Sequence, residues 1–282
     1  MPPFIRRSFL LTLAALLLSS LLPAQADEEM DNIRQRGWLS IAVYDNFQPY
    51  SNAEKGIDVD LGKALAAKLG LKAQIVGFKA GEDMSDDLRN MVWKGHYLRG
   101  NPADVMMHVP VDQLLAKAND KVRIFAPYHH EVMAMARIAS RVPAPNGSAA
   151  IALEVFTREK IGVEGESLAD SFLLSTLRGR LNDNVVHFHT IGEAVKALRD
   201  DRLSAVMAPR GEIEGALLGD TRFAVDEVKI GELNPKSWPV GMAVKAEAGD
   251  LATALGNALA ELQQDGTVSA IFKRHGITLQ AR

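Results

Sequence analysis

The chain has 282 residues, no cysteine and a formal net charge of −3, with 32 basic side chains against 35 acidic ones. The absence of cysteine excludes a disulfide framework, a thiolate metal site and a lipid-bearing cysteine behind a leader. Mild acidity without a long basic run argues against nucleic acid as a partner, and the 47% hydrophobic content is that of an ordinary globular protein.

The first 26 residues read as a cleavable export signal. Arg6 and Arg7 form a positive start, Phe9 to Leu22 is almost wholly apolar, and Ala24-Gln25-Ala26 supplies small residues for cleavage. The apolar run is roughly 14 residues, short of the ~20 that span a bilayer. The mature chain is therefore expected to begin at Asp27 and to be soluble in a periplasm. Beyond it, Trp38 to Tyr44 is a β-rich run, and Val59 to Leu69 has helical spacing, with Leu61, Leu65 and Leu69 on one stripe and Gly70 as the stop. Lys72 to Phe78 predicts a second strand. Ser85 is expected to cap a helix that begins with Asp86 and Asp87. Asp104 to Met107, Val122 to Ala126 and Glu131 to Ala136 read as short strands, the last leaving a first lobe.

The second half keeps the same rhythm. Lys160 to Val163, Val185 to His189, Ser204 to Met207 and Val240 to Lys245 read as strands. Ser167 to Asp170 and Thr190 to Glu193 are capping boxes that open helices. Gly211 to Leu218 predicts a helix, and Leu251 to Arg274 another with a break near Gly266. Alternation of this kind implies α/β architecture with mainly parallel sheets.

Gly56-Ile57-Asp58-Val59-Asp60-Leu61, followed by Leu65, Ala66 and Leu69, resembles the signature of family-3 extracellular solute-binding proteins. Asp31 to Val43, Phe125-Ala126-Pro127-Tyr128 and Asp265-Gly266-Thr267 are similar to other segments of that family, in the same order. The resemblance implies a type II periplasmic-binding-protein fold, with two α/β lobes joined by two crossing strands. Residues 27–134 and 240–282 would form one lobe and 135–239 the other. It also implies a monomer that holds a small solute in the cleft and hands it to an ABC importer. A shorter similarity, Asp104-Val105-Met106-Met107-His108-Val109-Pro110, is to relatives associated with quinoprotein alcohol dehydrogenases, and implies as an alternative an accessory role to such an enzyme.

The chain departs from that family where amino acids are gripped. The family's carboxylate-binding Arg has no counterpart in His108 to Lys117, where Lys117 is the only cation, and Pro209-Arg210 stands where an ammonium-binding Asp is expected. The expected cleft residues are Tyr44, Phe47 and Tyr50 after the first strand, Asp83 in the loop after the second, and His108, Lys117, Ser167 and Arg210. With these cations in the cleft, a small anion or neutral polar solute is expected rather than an α-amino acid. The insertion Lys94 to Ala103 is expected to enlarge the rim. Neither a cofactor nor catalytic machinery is expected: Glu82 and Asp83, the best acid-base candidates for a cleft dehydratase, read more simply as loop charges or hydrogen-bond acceptors. His187 and His189 share a strand face and, with His129 and His130, offer metal ligands, yet a solvated face is favoured.

Overall fold

A computed structural model describes residues 28–52, 54–96 and 100–280. The expected leader and residues 97–99 of the insertion lie outside them. After helix α1 (Glu28–Arg36) come β1 (Trp38–Tyr44), α2 (Ile57–Lys68), β2 (Lys72–Phe78) and α3 (Met84–Leu88), which continues as a π turn. Then follow β3 (Val105–Pro110), α4 (Gln113–Ala118) and β4 (Val122–Arg137). The second lobe contains β5 (Asn146–Gly147), α5 (Ala149–Ala152), β6 (Ile161–Glu164), α6 (Leu168–Ser175), β7 (Val185–Phe188) and α7 (Ile191–Arg199). It goes on with β8 (Ala205–Pro209), α8 (Arg210–Leu217), β9 (Ala224–Glu227) and β10 (Lys229–Ile230). β11 (Ser237–Lys245), α9 (Gly249–Gln264) and α10 (Thr267–Arg274) close the chain, with Gly266 at φ 81° making the predicted break.

The long strands pair in the order β2-β1-β3-β11-β4-β8-β6-β7. Both flanks are parallel, β1 with β2 and β3, and β6 with β7 and β8. The middle is antiparallel, because β4 and β11 run between the lobes in opposite directions. Two strands expected on either side of Pro127 are one strand of 16 residues. Its first part pairs with β11 as far as Val132, and its second pairs with β8 from Met133. The Met133 amide donates to the Lys236 carbonyl at 2.8 Å, so the two crossings lie side by side.

Period-2 alternation gives each lobe a core on both faces of its sheet. Ile41 and Val43 of β1 pack with α2, α9 and α10, whereas Ala42 faces a second cluster with Leu88, Met91 and Met106. In β4, Met133 and Met135 pack with Phe156 and Leu173, while Ala134 and Ala136 face Val195, Leu198 and Ile213. The acids of the Gly56–Leu61 segment are held by tertiary partners besides the helix start. Buried Asp58 accepts from Tyr128 Oη at 2.6 Å and lies 3.1 Å from His108 Nδ1, and Asp60 lies 2.8 Å from His275 Nε2. Among the described residues no helix is long and apolar enough to cross a membrane.

Candidate functional site

Parallel strands that end side by side leave their carboxyl ends open to a ligand. Here the ends of β1, β2, β3, β6 and β8 converge on a cavity of about 630 Å³. The first lobe contributes Tyr44, Asp45, Asn46, Phe47, Phe78 and His108; the second contributes Glu164, Pro209 and Glu212. Glu131 and Trp238, cross-strand neighbours on β4 and β11, line it from the crossing strands. A second cavity of about 480 Å³ also has Asn46, Phe47, Glu164 and Glu212 in its wall, together with Lys55, His189 and His275.

The wall is aromatic on the first-lobe side. Tyr44 and Phe47 meet edge-on with centroids 5.8 Å apart, and Phe47 meets the His108 ring at 4.8 Å. Tyr44 Oη donates to Asp87 Oδ2 at 2.6 Å; burial and the Asp87 charge push its pKa far up, so it stays a phenol. His108 has φ 61°, a left-handed backbone that glycine adopts more readily. Its backbone N–H donates to Tyr128 Oη at 3.0 Å, and its Nδ1 faces Asp58, which orients the ring at the cavity wall.

Three carboxylates, Glu131, Glu164 and Glu212, line the same cavity. Glu131 is 2% exposed, and neither carboxyl oxygen has a hydrogen-bond partner of normal geometry. Burial pushes its pKa up to about 8, moderated by the nearby Gly211 and Val132 amides. His129 Nε2 lies 3.5 Å away, but burial first, and then the neighbouring His108 and His130, push His129 down to about 3. At neutral pH the contact is therefore not an ion pair. Glu212 is raised by burial and by the charges of Glu164 and Glu131, and Glu164 by burial.

Of the expected site residues, Tyr44, Phe47 and His108 line the cavity; the other five do not. Tyr50 is completely buried, between Phe47, His108 and α8, because Gly211 and Gly215 let Tyr50 and Pro49 approach that helix closely. Asp83 is exposed and caps α3, accepting from the Asp86 amide, in place of the expected Ser85. Lys117 sits exposed in the last turn of α4. Ser167 caps α6 through the Asp170 amide, and Arg210 is bound to Glu214 at 2.7 Å, one helical turn along α8. None of the described residues of the 94–103 insertion lines either cavity. The cations behind the expected preference for an anion are thus elsewhere, and the carboxylates Glu131, Glu164 and Glu212 were missed. The signal for them was weak: acids in otherwise apolar strand ends and a Gly-Glu-Ile-Glu-Gly helix start.

His187 pairs with Asp170 at 2.9 Å, and His189 lines the second cavity. Among the described residues no group of three or more His, Asp or Glu side chains has metal-holding geometry.

No protein-family model and no curated protein matches the sequence. Solved structures do. An ancestral cationic amino acid solute-binding protein matches with a TM-score of 0.68 at 19% identity, over 88% of this chain and 99% of its own. A mutant of the arginine-binding protein of T. maritima matches at 0.58 and 21%, over 86% and 97%. An amino acid ABC transporter substrate-binding protein of Streptococcus pneumoniae, bound to L-arginine, matches at 0.59 and 16%, over 87% and 97%. The chain therefore has the two-lobed α/β fold of the periplasmic solute-binding proteins.

These neighbours carry no support for the quinoprotein similarity. They also correct the expectation of a chain without catalysis. A structure of the ancestral protein is described as that of an amino acid-binding precursor of cyclohexadienyl dehydratase, so binding and enzymatic descent meet on this fold. The fold leaves catalysis open.

Proposed function

We propose that this chain is an exported, monomeric solute-binding protein that encloses a small polar solute between its lobes and delivers it to an ABC importer. The observation that carries the reading is the 630 Å³ cavity, whose walls come from strand ends of both lobes and from the crossing strands. Such a site is completed only when the lobes meet, so a solute that touches both favours the closed arrangement. Taking the lobes as 27–134 with 240–282 and as 135–239, we place the hinge where the strand pairing changes, at Val132-Met133 and Lys236-Ser237. The three neighbouring solute-binding proteins, each described with amino acid cargo, support the same role. Tyr44, Phe47, His108 and Trp238 then form the walls, and Glu131, Glu164 and Glu212 the polar contacts.

The test is native mass spectrometry of the protein purified without denaturation, followed by small-angle scattering with and without the released solute. A one-to-one small-molecule adduct, and a radius of gyration that falls when it is restored, are expected. A protein that carries no solute, and whose radius is unchanged by every candidate, would remove the reading.

A further inference from the structure

Three glutamates reach the aromatic cavity from three different elements: Glu131 from β4, Glu164 from the end of β6 and Glu212 from the first turn of α8. They are close enough for Glu164 and Glu131 to disfavour ionisation of Glu212. Glu131 is 2% exposed and lines the cavity, and neither carboxyl oxygen has a hydrogen-bond partner of normal geometry. A buried carboxyl with no well-formed hydrogen bond is costly to keep, and it marks a place that an incoming donor completes. Tyr44, Phe47, Phe78 and Trp238 line the same cavity, and aromatic rings attract a cation.

Basic side chains are deployed differently. Arg210 is bound to Glu214 and Lys117 is exposed on α4, whereas among the described residues the exposed Lys79 is the lysine or arginine that lines this cavity. Among the described residues no arginine lines this cavity. A metal ion is a poor occupant: among the described residues no group of three ligands converges, and the space is that of a molecule of several heavy atoms.

Resting on the reading as a solute-binding protein, we propose that the solute is an organic cation, an amine or guanidine without a carboxylate, held between the three glutamates and the aromatic walls. The cation takes the hydrogen bonds that Glu131 lacks and offsets the mutual repulsion of the acids. An amino acid with the same cationic end brings a carboxylate into that field and is disfavoured. Groups facing Glu131 are His129 on its own strand, Tyr50 from the first lobe, and Glu212 and Glu214 on α8. With His129 neutral, a bound cation draws Glu131 into its ionised form, and a proton leaves on binding.

Calorimetry on the leader-free chain tests this with agmatine, putrescine, spermidine and choline as cations, L-arginine as the carboxylate-bearing counterpart of agmatine, and succinate and acetate as anions. At least one cation is expected to bind, with L-arginine at least tenfold weaker than agmatine if agmatine is that cation. The heat should depend on buffer ionisation enthalpy at pH 7, showing proton release. Glu164→Gln and Glu131→Gln should each weaken the cation at least tenfold with the melting cooperative. Stronger binding of succinate, acetate or L-arginine than of every cation would overturn the inference and leave solute capture standing. Binding of none of the probes, with no solute recovered from the native protein, would overturn both.

Discussion

The hydroxyl of Tyr50 occupies the space that a Cβ on Gly211 would fill, and Pro49 lies in the same way against Gly215. Two glycines one turn apart on α8 thus let the second lobe's helix close onto the first lobe's loop. The Tyr50 hydroxyl has no hydrogen-bond partner there, so it contributes shape and not a bond. Gly211→Ala is expected to hold the lobes apart or to cost about 1–3 kcal/mol by overpacking. Tyr50→Phe should be neutral or slightly stabilising, and should rescue part of the Gly211→Ala loss in a double-mutant cycle. Strict additivity of the two substitutions would show that the contact is not made in solution.

Full burial makes Tyr50 a packing residue, in contact with Phe47 at 5.2 Å and His108 at 4.1 Å between ring centroids. Tyr50→Ala is expected to cost about 3 kcal/mol, comparable with other buried aromatic truncations. In a chain of this size that lowers Tm by roughly 6–12 °C. A Tyr50→Ala protein that melts like the parent would mean that the ring is not in the core.

Asp58 joins α2 to β3 and β4. It accepts from Tyr128 Oη and faces His108 Nδ1, and burial with the Asp58 charge drives the Tyr128 pKa well up. Asp58→Ala leaves the buried Tyr128 hydroxyl without an acceptor and His108 Nδ1 without its partner, with an expected loss of about 3 kcal/mol. The same variant should also weaken solute binding, because His108 loses its orienting partner. Chemical denaturation and a binding titration measure the two effects separately. A loss of stability with full affinity would separate His108 from the site.

Glu131 gives the protein a pH dependence of known sign. Its folded pKa, about 8, lies above the ordinary carboxylate value of 4.5. The folded state therefore holds a proton that the unfolded state releases between pH 4.5 and 8. Stability from this group is fully present below pH 4.5 and declines as pH rises to 8. Glu131→Gln mimics the protonated form, so its advantage in Tm over the parent should grow from pH 5 to pH 8, by several °C. An advantage that is constant across that range would show that Glu131 is already ionised at pH 5.

Cavity-lining and exposed residues should separate cleanly in binding. Phe47→Ala and Trp238→Ala are expected to weaken the solute recovered from native protein about tenfold or more, through lost aromatic contact. Lys117→Ala and Asp83→Ala, exposed and outside the cavity lining, should leave affinity within about twofold. Equal losses from Lys117→Ala would place the solute elsewhere.

Local pattern was enough for most of the long elements and for the α/β class. The stripe Leu61, Leu65 and Leu69 makes α2, the boxes at Ser167 and Thr190 cap α6 and α7, and alternating residues in β1 and β4 divide between the two faces of their sheets. These features act over a few residues, through periodicity and through backbone groups that need caps, so they are visible in the chain alone. What the sequence could not decide is which polar side chains meet. Glu131, Glu164 and Glu212 are separated by up to 81 residues and come together only because β4 crosses between the lobes and the parallel strands end at one level. Conversely, Arg210 read as a cleft cation, and a partner one turn away on its own helix, Glu214, holds it instead. Burial and Coulomb energy depend on distance in space, and that distance is set by the crossing of β4 and β11 and by two glycines on α8.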